Sequence, residues 1–233
     1  MNKEEFIKEL TKLNITIDNN KLNMLEKYYN LLIEENNKYN LTSITNKEDV
    51  YLKHFYDSIT ISKIIDLDNE SLLDIGTGAG FPGIVLKIIY PNLKVTLLDS
   101  TLKKCNFLNL VITKLNLKDI TVINERAEIY SKNVREKYDV VTSRAVAPLK
   151  HLLEYSIPTL KVNGYYIAMK SDISKELIGI NKYEDKLNIK EIDRISFTLP
   201  KENSLRTLIK YQKLNVTNLI YPRKYNEIKK KSL

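Results

Sequence analysis

The segment from Leu72 to Gly83, Leu-Leu-Asp-Ile-Gly-Thr-Gly-Ala-Gly-Phe-Pro-Gly, constrains this chain more than any other. It holds four of the six glycines and follows a short apolar run. Glycine admits positive φ in a tight turn and leaves no Cβ between backbone and ligand. Pro82 suits the first turn of a following helix, where its missing N–H costs nothing. The positive end of such a helix favours a nearby carboxylate or phosphate. The spacing therefore predicts a strand, a cofactor-binding loop and a helix. Two registers overlap within it. Gly76-x-Gly78-x-Gly80 is the spacing of a methyltransferase loop, and Gly78-x-Gly80-x-x-Gly83 is formally a dinucleotide fingerprint. A tight turn without a ligand is the plain alternative.

Two carboxylates weigh on the choice. Asp74 stands two residues before the first glycine, where it suits a ligand's amino group, directly or through water, and would repel a pyrophosphate. S-adenosylmethionine carries an ammonium and a sulfonium and no phosphate. Asp99 closes the next apolar run, where a carboxylate can accept hydrogen bonds from both ribose hydroxyls. That feature fits NAD and S-adenosylmethionine alike.

The rest of the chain places this loop in an α/β fold. Residues up to about Asp66 read as helical. Leu22, Leu25, Tyr29 and Leu32 form one apolar stripe over Asn19 to Tyr39, and a further helix begins at Asn46 as N-cap and carries Tyr51 to Ile61. From Ser71 onward, apolar runs alternate with helical stretches such as Thr101–Leu117 and Pro148–Leu160. The runs are Ser71–Ile75, Lys94–Leu98, Ile120–Asn124, Asp139–Thr142, Tyr165–Lys170, Ile189–Leu199 and Arg206–Leu214. Such alternation predicts a doubly wound, mostly parallel sheet, and the short turn Pro200 to Asn203 makes the last two runs an antiparallel hairpin. This is a Rossmann-like, class I methyltransferase arrangement. The expected organisation is a helical extension over 1–66, a catalytic domain over 67–215 and a basic tail over 216–233.

Composition narrows the setting. Cys105 is the single cysteine and His54 and His151 the only histidines, so no disulfide framework and no zinc site is expected. No apolar run is long enough to span a bilayer, and the charged start lacks the pattern of a signal peptide. A cytoplasmic monomer without metal or membrane partner is expected. The chain has 37 Lys+Arg against 29 Asp+Glu, a net charge of +8. That balance suits a polyanion such as nucleic acid, although a compositional bias toward Lys, Asn and Ile would also produce it.

A specific combination of segments resembles the bacterial RsmG (GidB) family. It comprises Asp74 to Gly83, Leu98-Asp-Ser-Thr-Leu-Lys-Lys104 with Phe107-Leu108, Arg126-Ala-Glu128 and Ser143-Arg-Ala-Val-Ala-Pro-Leu149. Tyr39 to Ile44, His54 to Ile59 and Glu202 to Thr207 fit it too. In the tail, Tyr221-Pro-Arg-Lys224 fits, but Tyr225-Asn-Glu-Ile228 replaces the usual Gly- and Pro-containing stretch. The resemblance implies methyl transfer from S-adenosylmethionine to N7 of a guanine, at position 527, in a decoding-region loop of 16S ribosomal RNA. It implies that Gly76, Gly78 and Phe81 line the cofactor, with Asp99 on the ribose, and that Ala127 and Glu128 meet the adenine. Arg144 would stand by the methionine end and the target base. Glu128 can equally cap the helix it begins, and Arg144 can equally be a structural ion pair.

Guanine N7 carries an in-plane lone pair and no proton, so its methylation needs no general base. Amine methyltransferases place Asp/Asn-Pro-Pro-aromatic after the fourth strand; here that place reads Thr142-Ser-Arg-Ala145. His54 with Asp57 suggests acid/base chemistry, but packing or RNA contact is the better reading. Basic candidates for RNA contact are Lys53, Lys103, Lys104, Lys170, Arg206, Arg223, Lys224 and Lys229 to Lys231. The 16S rRNA or the 30S subunit is the expected partner. The rivals are a methyltransferase of another RNA, a protein or a small molecule, an NAD-dependent dehydrogenase and a non-catalytic RNA-binding protein.

Overall fold

The computed structural model describes residues 1–231 and 233; Ser232 of the expected tail lies outside them. The chain opens with helix α1 (Lys3–Thr11), started by a reciprocal capping box between Asn2 and Glu5. Helix α2 (Asn19–Tyr39) begins at the Asp18 cap and ends where Asn40 turns left-handed. Its buried stripe is Leu22, Leu25, Tyr28 and Leu32. Tyr28 thus takes the inward place that spacing alone gave to its neighbour Tyr29. Asn46 caps α3 (Lys47–Asp49) by accepting from the Glu48 and Asp49 amides. The run then widens to a π-helix over Val50–Tyr56 before α4 (Asp57–Ile59).

Strand β1 (Ser71–Ile75) is followed by α5 (Gly83–Ile89), β2 (Lys94–Asp99) and α6 (Leu102–Lys114). Next come β3 (Ile120–Asn124), α7 (Ala127–Asn133), β4 (Tyr138–Arg144) and α8 (Leu149–Ser156). The chain continues through β5 (Leu160–Lys170), α9 (Asn181–Leu187), β6 (Ile189–Thr198), β7 (Leu205–Lys213) and α10 (Tyr225–Lys230). The seven strands lie in the order β3-β2-β1-β4-β5-β7-β6. The first five run parallel, and β7 is antiparallel to both β5 and β6. This is the doubly wound sheet with a terminal hairpin that the alternation of runs predicts. The order reverses at β1, between β2 and β4, and ligands of open α/β sheets bind beyond the carboxyl ends of strands at such a reversal. The glycine loop leaves β1 at that point.

Central strands covered on both faces need apolar residues throughout rather than alternation. In β1, Leu72 to Ile75 are all buried. One core joins α1, α2 and the residues 50–67 to α5, α6 and one sheet face; the other joins α8, α9 and the tail to the opposite face. The helical amino-terminal segment is therefore continuous with the core beneath the glycine loop. Tyr28 makes the link specific. Its hydroxyl donates to the Ala79 carbonyl inside that loop, and its ring lies 5.5 Å from Phe81. Removing the hydroxyl leaves a buried carbonyl unpaired, which costs about 1–3 kcal/mol. Tyr28→Phe is therefore expected to lower the unfolding free energy by that amount in urea titration and to weaken binding at the loop.

The tail is not a free basic end. Tyr221 and Ile228 are buried, and Glu154, itself fully buried, holds Arg223 through both carboxylate oxygens. Arg135 clasps the carbonyls of Thr217 and Tyr221 at 2.6 Å each. Arg223 thus anchors the tail to α8.

Candidate cofactor and acceptor site

Asp74 organises the glycine loop from within. It is fully buried, and its Oδ2 accepts from Thr77 Oγ1 at 2.6 Å and from the Gly83 amide at 2.9 Å. Its Oδ1 is buried without a partner. Burial raises its pKa to about 6, against the lowering effect of those two bonds. The Gly83 amide is the donor at the start of α5 that a pyrophosphate would need, and Asp74 already occupies it. A Cβ on Gly83 would stand 2.3 Å from Leu97 Cδ2 and 2.9 Å from Asp74 Oδ2. The last glycine thus serves close packing onto β2, a role the dinucleotide register also gives it, while a buried carboxylate takes up its amide at the start of the helix. This geometry disfavours NAD. It also replaces the expectation that the helix end receives a ligand anion.

Beyond the loop lies a cavity of about 610 Å³, within the usual size of small-molecule sites. Gly76, Asp99, Ala127 and Glu128 all line it, as does Ala145. Gly76 has φ +67°, and a Cβ there would come 2.5 Å from Val146 Cγ2, so the segment after β4 folds tightly against the loop. Asp99 accepts from the Gly78 amide at 3.0 Å and from the Thr101 amide at 2.8 Å. Each oxygen keeps a second lone pair facing the cavity for hydroxyl donors. Glu128, in the first turn of α7, pairs with Arg126 at the cavity's outer edge. Gly78 contributes through that bond to Asp99 rather than through the lining. Phe81 lies below, buried between Tyr28 and His54, with ring centroids 4.3 Å from the His54 ring. Asp74 likewise stays behind the wall.

A second cavity, of about 580 Å³, adjoins the first at Ala145 and has Arg144 in its wall. Arg144 ends β4 and crosses to the amino-terminal segment. One guanidinium nitrogen donates to Asp57 Oδ2 and the Lys53 carbonyl, each at 3.2 Å, and to the His54 carbonyl at 3.4 Å. The two carbonyls belong to the π-helical turns, a geometry common at functional sites. The guanidinium also lies over the Phe81 ring at 5.4 Å. Asp57 Oδ1 holds Arg206 from β7 at 3.0 Å. One buried carboxylate thus orients two arginines, and the ion-pair reading of Arg144 is present in the structure. Lys53 and Lys170 add cations to the same cavity, paired with Glu202 and Glu176 at 2.8 Å each. Burial lowers the His54 pKa to about 3, and Arg144 adds to that effect. His54 is therefore neutral at physiological pH, with Nε2 bonded to Thr42 Oγ1 at 2.9 Å. Its ring packs against Phe81 at the wall of the second cavity.

These features coincide with a defined lineage. The family model described as "GidB: rRNA small subunit methyltransferase G" matches residues 21–209. The chain belongs to this family. Among relatives named ribosomal RNA small subunit methyltransferase G, that of Mesoplasma florum is 48% identical over 89% of this chain and 88% of its own length. That of Bacillus cytotoxicus is 45% identical over 96% of this chain and 95% of its own. Solved structures share the fold at low identity. TYW2 from M. jannaschii, in complex with AdoMet, has a TM-score of 0.54 at 16% identity, covering 68% of this chain and 77% of that one. A SAM-dependent methyltransferase from Aquifex aeolicus has 0.53 at 15%, covering 72% and 94%.

Membership of the GidB family accounts for the shared loop and the segment after β4, but the site holds residues that sequence reasoning did not assign to it. Tyr225 and Lys229 of α10 and Tyr155 of α8 line the first cavity. Asp57 was singled out only as a partner for His54, yet it anchors both arginines of the second. Lys53, Lys170 and Arg206 gather at this second cavity, Lys104 and Lys229 at the first. Lys103 stays exposed on α6, so the basic candidates do not share one patch. Among the described residues no group of three His, Cys, Asp or Glu is placed to hold a metal ion, and no helix is long and apolar enough to cross a membrane.

Proposed function

We propose that this chain transfers a methyl group from S-adenosylmethionine to N7 of the guanine at position 527 in the decoding-region loop of 16S rRNA, acting in the cytosol. The observation that carries the proposal is the pair of cavities meeting at Ala145, with Arg144 in the wall of the second, in a chain of the GidB family. When bound, the cofactor supplies an electrophilic methyl on a cationic sulfur. The residues present fit it. Asp99 offers paired acceptors suited to a ribose diol, and Ala127 and Glu128 border the space for adenine. The unpartnered Asp74 Oδ1 offers negative potential behind the loop.

The second cavity suits a guanine whose attack needs no base. Its carboxylates Asp57, Glu176 and Glu202 are each paired with a cation, and His54 is held neutral. No carboxylate in it is free to take a proton, as an amine acceptor would require. Arg144 and Arg206 present N–H forks of the kind that bind guanine O6 or phosphate. Rate enhancement then rests on holding N7 in line with the methyl, and orientation supplies about 7–11 kcal/mol in favourable cases.

The test incubates the protein with labelled S-adenosylmethionine and either naked 16S rRNA or 30S subunits lacking the modification. Nucleoside mass spectrometry is expected to find 7-methylguanosine. Label confined to another nucleoside would overturn the acceptor assignment and leave the cofactor intact. Affinity for RNA is expected to fall with salt at a logarithmic slope of about −0.7 to −0.9 per phosphate neutralised. A flat response in a filter-binding titration would count against a nucleic-acid substrate.

A further inference from the structure

The carboxy-terminal helix forms part of the first cavity's wall. Tyr225 and Lys229 lie one turn apart on α10 and both line the cavity, as Asp99 does. The helix is held there by the buried Ile228, by buried Tyr221 and by the Arg223–Glu154 pair. Arg126, beside Ala127 and Glu128, places its guanidinium 4.5 Å from the Tyr225 ring centroid. A planar cation and a planar ring thus frame the end of the cavity bordered by Glu128. Yet Tyr225 remains 40% exposed and Lys229 is exposed, so neither contributes its burial to the core.

We infer that α10 is a cofactor-binding element, with Tyr225 and Lys229 contacting the adenosine half of the bound nucleoside. This rests on the cofactor reading above. The chemistry fits that half of the molecule. Adenine offers an apolar face to a tyrosine ring or guanidinium plane, and ring nitrogens that accept from an ammonium. The methionine half is a poorer match: its ammonium and the sulfonium would be repelled by Lys229 and Arg126, and only its carboxylate would be attracted. The segment also lies outside the residues matched by the family model, 21–209. The wall formed by α10 thus lies beyond the segment that the family model matches.

Calorimetry with S-adenosylhomocysteine and with 5′-deoxy-5′-methylthioadenosine, which lacks the amino-acid part, tests the inference on the full-length protein. Tyr225→Ala is expected to weaken both ligands by about tenfold, the magnitude of losing one base–aromatic contact, and by the same factor for each. Tyr225→Phe keeps the ring and is expected to stay within about twofold of wild type. Lys229→Ala is expected to weaken both ligands, whereas Lys230→Ala, outside the cavity, leaves them unchanged. Wild-type binding together with unchanged affinity in Tyr225→Ala and Lys229→Ala overturns the inference alone. A loss confined to S-adenosylhomocysteine also overturns it, because it places the contact on the amino-acid half. Failure of the wild-type chain to bind either ligand overturns the cofactor reading as well.

Discussion

Arg144→Ala is expected to lower methyl transfer to RNA by at least about a hundredfold while changing S-adenosylhomocysteine affinity by less than about threefold. The asymmetry follows from placement. The guanidinium belongs to the second cavity and is turned toward it by Asp57 and two π-helical carbonyls, whereas Asp99, Ala127 and Glu128 of the first cavity lie beyond Ala145. Its loss also removes one donor from the Lys53 and His54 carbonyls and leaves Asp57 with Arg206 alone. A fall in thermal midpoint of several degrees is expected on that ground. Arg144→Lys retains a charge but not the fork, so it should recover stability more than transfer. Single-turnover transfer, ligand calorimetry and thermal unfolding on the same preparations separate the two roles. A variant that loses cofactor binding and transfer in equal proportion would show that Arg144 acts on the first cavity; a fully active one would remove it from the site.

What could be read from the sequence was governed by how local the cause is. A strand covered on both faces must be apolar along its length, so β1 and β2 stand out as runs, and the turn at Pro200 to Asn203 dictates the hairpin. Asn46 is legible as a cap because its partners are two and three residues away. The left-handed Asn40 and the π-helical turns at Val50–Tyr56 leave no comparable period. Site residues follow the same rule. Gly76 and Asp99 end adjacent strands, and the ends of β1 and β2 come together through pairing alone. Arg144 and Asp57 are joined by no such register; 87 positions separate them, and only the folded amino-terminal segment brings them together. The tail misleads for a related reason. Its lysines read as a basic tail for RNA contact, while two apolar residues, Tyr221 and Ile228, are buried and bring Tyr225 to the cavity.

The fixed position of Asp74 has a pH signature that its sequence place did not announce. Its folded pKa, about 6, lies above the ordinary 3.8, so the folded chain holds this proton more tightly than the unfolded chain does. Between those values the folded state binds more protons, and stability falls as pH rises through the window. The full penalty, on the order of 3 kcal/mol, is present above pH 6. Asp74→Asn removes the titration. The amide oxygen still accepts from Thr77 and Gly83, so the loop keeps its frame. The variant is therefore expected to gain on wild type in urea titrations as pH rises from about 4 to 7, and to be no less stable at pH 8. Binding should move the opposite way. The cofactor's ammonium and sulfonium favour an ionised Asp74, so wild-type affinity for S-adenosylmethionine is expected to rise as pH passes through about 6. The asparagine variant should lose that rise and bind at least about tenfold more weakly at pH 8. Parallel stability profiles in the two proteins would show that the folded Asp74 keeps its ordinary pKa, unshifted by burial, and parallel affinity profiles would show that its unpartnered oxygen faces no cation. Opposite responses of stability and affinity would instead identify one buried carboxylate that the fold tolerates at a cost and the bound cation makes favourable.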